Sequence, residues 1–183
     1  KNVQKKRAIL YAGGLTQDNG IEILLDGFIK LGQPETELWI YGEGPLENLV
    51  KMYANKYSNI HFHGIRPHKE ILEKEAMLLI SPRLSNNEFT KYSFPSKIIE
   101  YMSSGTPVIL TKLPGIPKEY FEYVYILENE SANGIQKMLE KLLMMNQEEL
   151  EHKGAMMRNF ILTNKDSQKQ GKRIVDFLVK VIR

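Results

Sequence analysis

Cysteine is missing from this sequence, and so is any long apolar run. Without cysteine the chain forms no disulfide and offers no thiolate for catalysis or metal binding. No stretch approaches the roughly 20 apolar residues that a membrane-spanning helix needs, and no signal peptide is visible. The absence of cysteine fits a reducing compartment, and the chain shows no membrane span and no signal peptide. We therefore expect a cytoplasmic protein.

A strong excess of one charge sign is also missing. The 183 residues carry 25 Lys and Arg against 22 Asp and Glu, a net charge of +3, which is too mild a bias to indicate a nucleic-acid partner. The surplus basic residues lie at the two ends: Lys1, Lys5, Lys6 and Arg7, then Lys165, Lys169, Lys172, Arg173, Lys180 and Arg183. Three interpretations stay open: solvated ends, peripheral contact with an anionic membrane at the inner membrane face, and contact with a missing domain.

Patterns typical of metal sites and of serine hydrolases are absent as well. His61 and His63 flank Phe62 on a predicted strand, and we expect their side chains to point to opposite faces. No cluster of Asp, Glu and His has the spacing of a ligand set, and no Gly-x-Ser-x-Gly elbow occurs. We therefore expect neither a metal nor another cofactor.

Short apolar runs that end in glycine or proline alternate with helical patterns along the chain. The runs predict strands at 7–12, 37–41, 59–63, 76–80, 107–110 and 123–127. Apolar residues at helical spacing predict helices near 21–29, 45–53, 69–74, 131–143, 147–162 and 167–182, besides one that enters at 94–96. This alternation predicts an α/β fold with a doubly wound, Rossmann-like parallel sheet of about six strands and C-terminal helices.

Glycine-rich turns follow the predicted strands at Gly13-Gly14, at Gly42-Glu43-Gly44 and at Gly64. In a parallel sheet the carboxyl ends of the strands form the ligand-binding edge, so these turns should converge on one rim. Glycine there permits close approach of the backbone to an anion, or it serves a tight turn. Both readings stay open.

The segment 91–109 is the most informative part of the chain. Ser93 has a side chain suited to cap the helix that enters at Phe94-Pro95-Ser96, and N–H groups at a helix start favour phosphate. Lys97 lies in the first turn, where it opposes the helix dipole unless an anion lies between. Glu100, among apolar neighbours, could accept hydrogen bonds from sugar hydroxyls. The segment thus predicts a nucleotide diphosphate site, and helix capping without a ligand is the alternative.

Taken in order, these segments resemble the C-terminal domain of a GT-B glycosyltransferase of family 4, the group 1 type. The resemblance covers about residues 7–160 and rests on 9–15, 19–21, 38–46, 59–64, 81–82, 100–109 and 114–119. It implies that the chain is one half of a GT-B fold and binds the nucleotide-diphospho-sugar donor, of the UDP or GDP type, of a retaining glycosyltransferase. The variant at 92–97 is similar to enzymes of bacterial surface polysaccharide synthesis.

The resemblance also implies roles for individual residues. Glu100 matches the second carboxylate of the family's paired-glutamate motif, which binds the ribose hydroxyls. The turn Phe94-Pro95-Ser96-Lys97 matches the one whose amides hold the diphosphate, and the base would lie against Gly64-Ile65-Arg66. The other donor-binding positions that it implies are Gly13, Gly14, Lys91, Tyr92 and Ser93.

Three positions depart from the family pattern. Tyr92 stands where the first glutamate is expected, and Glu88, one helical turn earlier, is the candidate for that catalytic carboxylate. Gly14 and Asn19 stand where the family has the arginine and the lysine that bind the diphosphate. The candidates to replace these two cations are Lys97, Arg83 and Lys91.

The resemblance further implies how the chain is divided. Residues 1–7 would be the remnant of an interdomain linker, 8–165 the nucleotide-sugar-binding domain, and 166–183 a C-terminal helix that packs toward an N-terminal domain absent from this chain. Because the acceptor pocket belongs to that other half, we expect the chain alone to be inactive. Two alternatives stay open: a non-catalytic, degenerate nucleotide-binding module, and half of a GT-B sugar-nucleotide epimerase.

Overall fold

A six-stranded sheet forms the centre of the molecule, in which all neighbouring strands are parallel and the order is β3-β2-β1-β4-β5-β6. The computed structural model describes residues 5–66, 73–165 and 167–182. The strands are β1 (Lys6–Ala12), β2 (Glu37–Tyr41), β3 (Ile60–Gly64), β4 (Ala76–Ser81), β5 (Val108–Thr111) and β6 (Tyr125–Leu127). The doubly wound architecture is confirmed, and the strand order reverses between β1 and β4, where such sheets bind ligands.

Helices cover both faces of the sheet. They are α1 (Ile21–Leu31), α2 (Glu47–Lys56), α3 (Lys97–Ser104), α4 (Ala132–Leu143), α5 (Gln147–Asn164) and α6 (Ser167–Ile182). Short 3₁₀ turns, Glu88–Lys91 and Lys118–Tyr120, lie in the loops after β4 and β5. Side chains cap α4 and α5 at their starts, since Ser131 accepts a hydrogen bond from the N–H of Gly134 and Asn146 from that of Glu148.

The central strands are apolar on both faces because each face is covered by helices. Along β1, Ile9 and Tyr11 point into a core shared with α1, α2 and α4, while Leu10 and Ala12 point into a second core shared with α3 and α5. This alternation is the ordinary two-residue period of a strand. At Gly27 of α1 an added Cβ would lie 2.7 Å from the carbonyl oxygen of Ala132, so α1 and α4 are in backbone contact.

Element boundaries differ from the predictions at several places. Lys6 and Arg7, which the prediction assigned to a linker remnant, lie in β1. The last strand begins at Tyr125, because the chain still turns at Tyr123. The predicted helix at 69–74 lies mostly outside the described residues, although 73–75 are helical. No helix among the described residues combines the length and the apolar character that crossing a bilayer requires.

The two histidines of β3 lie on the same face of the sheet. Their ring centroids are 6.3 Å apart, and His63 stacks on Tyr41 with centroids 4.6 Å apart. The expectation that His61 and His63 point to opposite faces is therefore wrong, because residues two apart in a strand share a face.

Candidate functional site

The loops after the first three strands are joined to one another by backbone hydrogen bonds. The N–H of Gly13 donates to the carbonyl of Tyr41 at 3.0 Å, and the N–H of Gly42 donates to the carbonyl of Gly64 at 2.9 Å. The N–H of Leu15 reaches the loop after β2 as well. The glycine turns therefore meet at the carboxyl rim of the sheet, where the sequence places them.

Close packing of these loops explains one of the glycines. Gly42 has φ 132°, and a Cβ at this position would lie 1.9 Å from the carbonyl oxygen of Gly13. This glycine is needed for the contact between two loops, whatever ligand binds nearby. At Gly64 the surroundings differ, since φ is 61° and no atom of the residues that the structure describes lies within 4 Å of an added Cβ. Ile65 and Arg66 follow it with exposed side chains.

Lys97 extends from the first turn of α3 to the end of β1. Its Nζ lies 3.3 Å from the carbonyl oxygen of Ala12 and 4.4 Å from the centroid of the Tyr11 ring. A Cβ added to Gly13 would come within 2.7 Å of the same Nζ. A cation is thus held at the meeting point of the helix start and the first glycine turn.

The buried side chain of Tyr11 supports this arrangement. Its hydroxyl donates to the carbonyl oxygen of Gly14 at 2.8 Å, and burial raises the pKa of the phenol well above its ordinary value. The positive charge of Arg83 acts in the opposite direction on that pKa. The ammonium of Lys97 therefore contacts a buried tyrosine at the carboxyl end of β1.

Several buried polar atoms near this rim have no hydrogen-bond partner among the described residues. Arg83 lies with its guanidinium 4.6 Å from the Phe89 ring centroid, and its Nε is one of these atoms. The others at the carboxyl side are Asn87 Nδ2, Ser93 Oγ and Thr111 Oγ1. A buried donor or acceptor without a partner costs about 1–3 kcal/mol, so a polar ligand at this rim would satisfy groups that the protein leaves unsatisfied.

The start of α3 differs in detail from the prediction. Ser96, not Ser93, occupies the N-cap position, and it makes no side-chain capping hydrogen bond. The predicted capping role of Ser93 is therefore wrong. Phe94 packs against Tyr120, with ring centroids 5.2 Å apart, so this aromatic side chain anchors the turn in the core. Pro95 completes the turn by accepting a hydrogen bond from the N–H of Ile98.

Glu100 lies in the first turn of α3 and is half-buried. It is three residues after Lys97, and residues at this spacing are neighbours on a helix surface. Its negative charge raises the pKa of Tyr101, whose main cause of elevation is complete burial. An ammonium and a carboxylate thus follow each other along one side of α3.

Glu88, Lys91 and Tyr92 lie on an exposed turn. The carboxylate of Glu88 is 81% exposed and pairs with the ammonium of Lys91 at 3.8 Å. Tyr92 is 84% exposed. The structure therefore places these three residues at the surface of the loop after β4, apart from the buried group around Tyr11.

Residues that support the site were not predicted from the sequence. The amide of Asn19 donates to the carbonyl of Gly14 at 2.9 Å and so braces the first glycine turn. Gly115 donates its N–H to the carbonyl of Thr90 at 2.8 Å and holds the loop after β4 from the other side. A tyrosine at the end of an apolar strand, two residues before Gly13, was the signal that could have revealed Tyr11.

The sequence of the chain matches a known protein family. A sequence model described as glycosyl transferases group 1 matches residues 6–144. No curated protein sequence matches the chain significantly.

Several solved structures share the fold. The chain is similar to Anabaena HepE (Alr3699) in complex with UDP and glucose, with a TM-score of 0.78 and 16% identity over 96% of this chain and 49% of that one. It is similar to a glycosyltransferase from Rickettsia africae (TM-score 0.79, 16% identity, 100% and 49% covered). The catalytic domain of cholesterol-alpha-glucosyltransferase from Helicobacter pylori gives a TM-score of 0.68 and 17% identity, with 86% and 98% covered. At these identities the likeness shows the fold, and the chain spans about half the length of the first two proteins.

Proposed function

Because this chain belongs to the group 1 glycosyltransferases, we propose that it is the donor-binding half of a retaining enzyme of that family. The donor is a nucleotide-diphospho-sugar of the UDP or GDP type, bound at the carboxyl rim of the sheet. One observation carries the proposal: the ammonium of Lys97 lies at the start of α3, against the end of β1 and the first glycine turn. A cation at a helix start suits the negative phosphates of such a donor.

In this proposal the diphosphate binds between Lys97, Arg83 and the turn at Ser93–Ser96. When the bond to the sugar breaks, negative charge grows on the departing diphosphate, and cations fixed in advance stabilise that charge. This pair replaces the arginine and lysine that the family places at Gly14 and Asn19. Asn19 has become a brace for the turn instead, since its amide bonds the Gly14 carbonyl.

In this proposal the ribose and the base of the nucleoside bind at two different places on the rim. Glu100 lies one turn along α3 from Lys97. In our proposal its carboxylate accepts hydrogen bonds from the ribose hydroxyls. In this proposal the base lies against Gly64-Ile65-Arg66, where the side chains of Ile65 and Arg66 are exposed.

Catalysis by the whole protein needs groups beyond this site. Glu88 is our candidate for the missing first glutamate, and it would have to leave its pair with Lys91 and its exposed position to act there. The acceptor binds to a second half that this chain does not contain. We extend the proposal to bacterial surface polysaccharide synthesis on the similarity of the turn at 92–97 alone.

Calorimetric titration of UDP, GDP, ADP and CMP tests the donor site. We expect one diphosphate to bind with a dissociation constant in the micromolar to low-millimolar range. Lys97→Met should weaken it roughly tenfold or more, since a hydrogen bond to a charged group contributes about 1.5–3 kcal/mol. Glu100→Ala should weaken it too, whereas Lys118→Met, which changes an exposed lysine outside the site, should not.

Undiminished binding after combined replacement of Lys97, Arg83 and Lys91 by methionine would overturn the assignment of the cations. If none of these nucleotides binds to the chain, the same titration is repeated on the whole protein. If the whole protein binds no diphosphate either, the chain is the degenerate, non-catalytic module instead.

A further inference from the structure

The side chain of Lys165, the residue that follows α5, is largely buried although it carries a charge. It is 11% exposed, and a lysine is seldom buried to this extent unless its ammonium is paired. The ammonium pairs with the carboxylate of Glu119 and lies 5.0 Å from the centroid of the Tyr120 ring and 5.5 Å from that of the Phe160 ring. Because the face of an aromatic ring attracts cations, one carboxylate and two rings fix this ammonium.

The ring of Tyr120 connects Lys165 with the turn at 93–96, where the proposed diphosphate binds. Tyr120 is 4% exposed and lies in the loop after β5. Its ring meets that of Phe160 edge to face, with centroids 5.3 Å apart. The ring of Phe94, a residue of the turn itself, lies 5.2 Å from the same Tyr120 ring. A displacement of Tyr120 therefore acts directly on the turn.

The loop after β5 meets the turn at a second point. A Cβ added to Gly115 would lie 2.5 Å from the carbonyl oxygen of Ser93, so the two backbones are in close contact there. The loop thus supports the turn at Ser93 through Gly115 and at Phe94 through an aromatic ring. Lys165 holds the other end of this loop, since its ammonium contacts two residues of the 3₁₀ turn Lys118–Tyr120.

We propose that Lys165 is a positioning residue for donor binding: it fixes Tyr120, and Tyr120 fixes Phe94 within the turn that holds the diphosphate. The inference rests on the proposed function, which supplies the ligand of that turn. Lys165 acts through other residues, because Glu119 and the aromatic rings hold its ammonium. Backbone amides bind a phosphate well only when they are held in one arrangement, so a small displacement of the turn weakens binding.

A purely structural role for Lys165 is the alternative. A cation at the C-terminal end of a helix is favourable, and Tyr120 and Phe160 belong to the second core of the fold. A structural role predicts a lower melting temperature after replacement of Lys165 and an unchanged affinity for the donor below that temperature. A positioning role predicts that the affinity changes as well.

Lys153 offers a matched control on the same helix. Its ammonium donates to the carbonyl oxygen of Glu122 at 2.6 Å and lies 5.7 Å from the centroid of the Tyr125 ring. It therefore makes the same two kinds of contact as Lys165, a bond to a loop oxygen and a contact with a tyrosine ring. Tyr125 belongs to β6, whereas Tyr120 packs on the turn.

Calorimetric titration of the whole protein with UDP and with GDP, below the melting transition, tests the proposal. We expect Lys165→Met to weaken the binding of the preferred diphosphate by about threefold to tenfold, the range of indirect effects on binding. Lys165→Arg should keep most of the affinity, because a guanidinium also pairs with carboxylates and stacks on aromatic rings. Lys153→Met should leave the affinity unchanged.

Hydrogen exchange of the whole protein supplies a readout that needs no ligand. The N–H groups of Ile98 and Ile99 donate to the carbonyls of Pro95 and Ser96, so their exchange reports how well the turn is held. Lys165→Met should accelerate exchange of these amides and leave exchange in α1 unchanged. Lys153→Met, as the control, should alter neither.

A double variant tests the route through Tyr120. In a protein that carries Tyr120→Leu, Lys165→Met should cause no further loss of affinity, because the connection to Phe94 is already removed. Additive losses would overturn the proposed route. Circular dichroism shows that the variants are folded at the temperature of the titration, and Glu119→Gln, at a half-exposed carboxylate, provides a milder change that should weaken binding in the same direction.

The results separate failure of this inference from failure of the donor site. If the unchanged protein binds UDP or GDP and Lys165→Met binds it equally well, the positioning role is overturned and the donor site stands. An equal loss in Lys165→Met and Lys153→Met overturns it too, since that loss reflects general destabilisation. If the unchanged protein binds neither nucleotide, the proposed donor site fails, and the positioning role fails with it.

Discussion

Lys97 illustrates how one residue can be unfavourable for folding and useful for binding. A lysine in the first turn of a helix opposes the positive end of the helix dipole, which costs about 0.3–1 kcal/mol. Contacts with the Tyr11 and Tyr101 rings, 4.4 and 5.8 Å from Nζ, offset part of that cost. Such a placement makes most sense where an anion binds.

Lys97→Met should therefore separate stability from binding. We expect the melting temperature to stay constant or rise slightly, because methionine keeps the apolar contact with Tyr11 and removes the opposed charge. Diphosphate affinity should fall in the titration described above. Ile98→Ala, at a buried neighbour, should instead lower stability by about 2–5 kcal/mol. A similar loss of stability in both variants would make Lys97 a structural residue.

Lys5 gives the fold a dependence on alkaline pH. Burial lowers the pKa of its ammonium from 10.5 to about 8, while Glu151 acts in the opposite direction. Between pH 8 and pH 10 the unfolded chain holds a proton that the folded chain has released, so stability rises with pH in this window.

Comparison with Lys5→Met isolates this effect. The free energy of unfolding of the natural chain should rise relative to that of the variant by on the order of 1 kcal/mol between pH 8 and pH 10, after allowance for solvent screening. Urea titrations at several pH values measure the difference. Parallel curves would show that Lys5 is not the responsible group.

At the scale of elements, the loop between β4 and α3 depends on neighbours that are remote in sequence. The N–H of Ser85 donates to the carboxylate of Glu130 at 2.8 Å, and the N–H of Leu84 donates to the carbonyl of Asp18 at 2.8 Å. Gly115, after β5, packs directly against the backbone of the same loop. The position of the proposed diphosphate turn is therefore set by three separate contacts.

Gly115→Ala should reduce donor affinity, although residue 115 is not one of the proposed donor contacts. An added Cβ would lie 2.5 Å from the carbonyl oxygen of Ser93 and 2.6 Å from that of Thr90, so the loop must shift, at a cost of about 1–3 kcal/mol. Calorimetry and thermal melting measure the two effects. Gly171→Ala, with no atom of the described part of the chain within 4 Å of the new Cβ, should leave affinity unchanged and strengthen α6. Equal affinities in both variants would show that the loop position does not matter.

At the scale of the molecule, the fold has one edge suited to the proposed donor, and the large apolar side chains of α6 are exposed. The sheet is covered on both faces, and the carboxyl rim is the edge at which the proposed donor binds. The chain spans about half the length of the HepE and Rickettsia structures with which it shares this fold. In our proposal the acceptor binds to surface from outside this chain.

The chain alone should therefore bind a donor and transfer no sugar. We expect no release of nucleoside diphosphate above background when the chain is incubated with UDP- or GDP-sugars and candidate acceptors, and release by the whole protein. Turnover is measured by detection of the free diphosphate. Transfer by the chain alone would mean that it contains its own acceptor site.

Local patterns in the sequence determined the elements of this fold. The apolar runs at 37–41 and 76–80 became β2 and β4, and the periodicity at 167–182 became α6, because both signals depend on residues only a few positions apart. Glycine turns after parallel strands must meet at one edge, so the rim too was predictable. The family resemblance added the donor site, which stays a prediction for its individual residues.

Only the tertiary structure decided how the candidate residues stand toward one another. It brings Lys97 to Tyr11, it places Arg83 over Phe89, and it leaves Lys91 paired with Glu88 at the surface. The strand order β3-β2-β1-β4-β5-β6 juxtaposes chain segments whose contact no local pattern specifies. The physical reason is range: helical and strand periods act over a few residues, whereas the meeting of side chains from separate loops depends on the packing of the whole sheet.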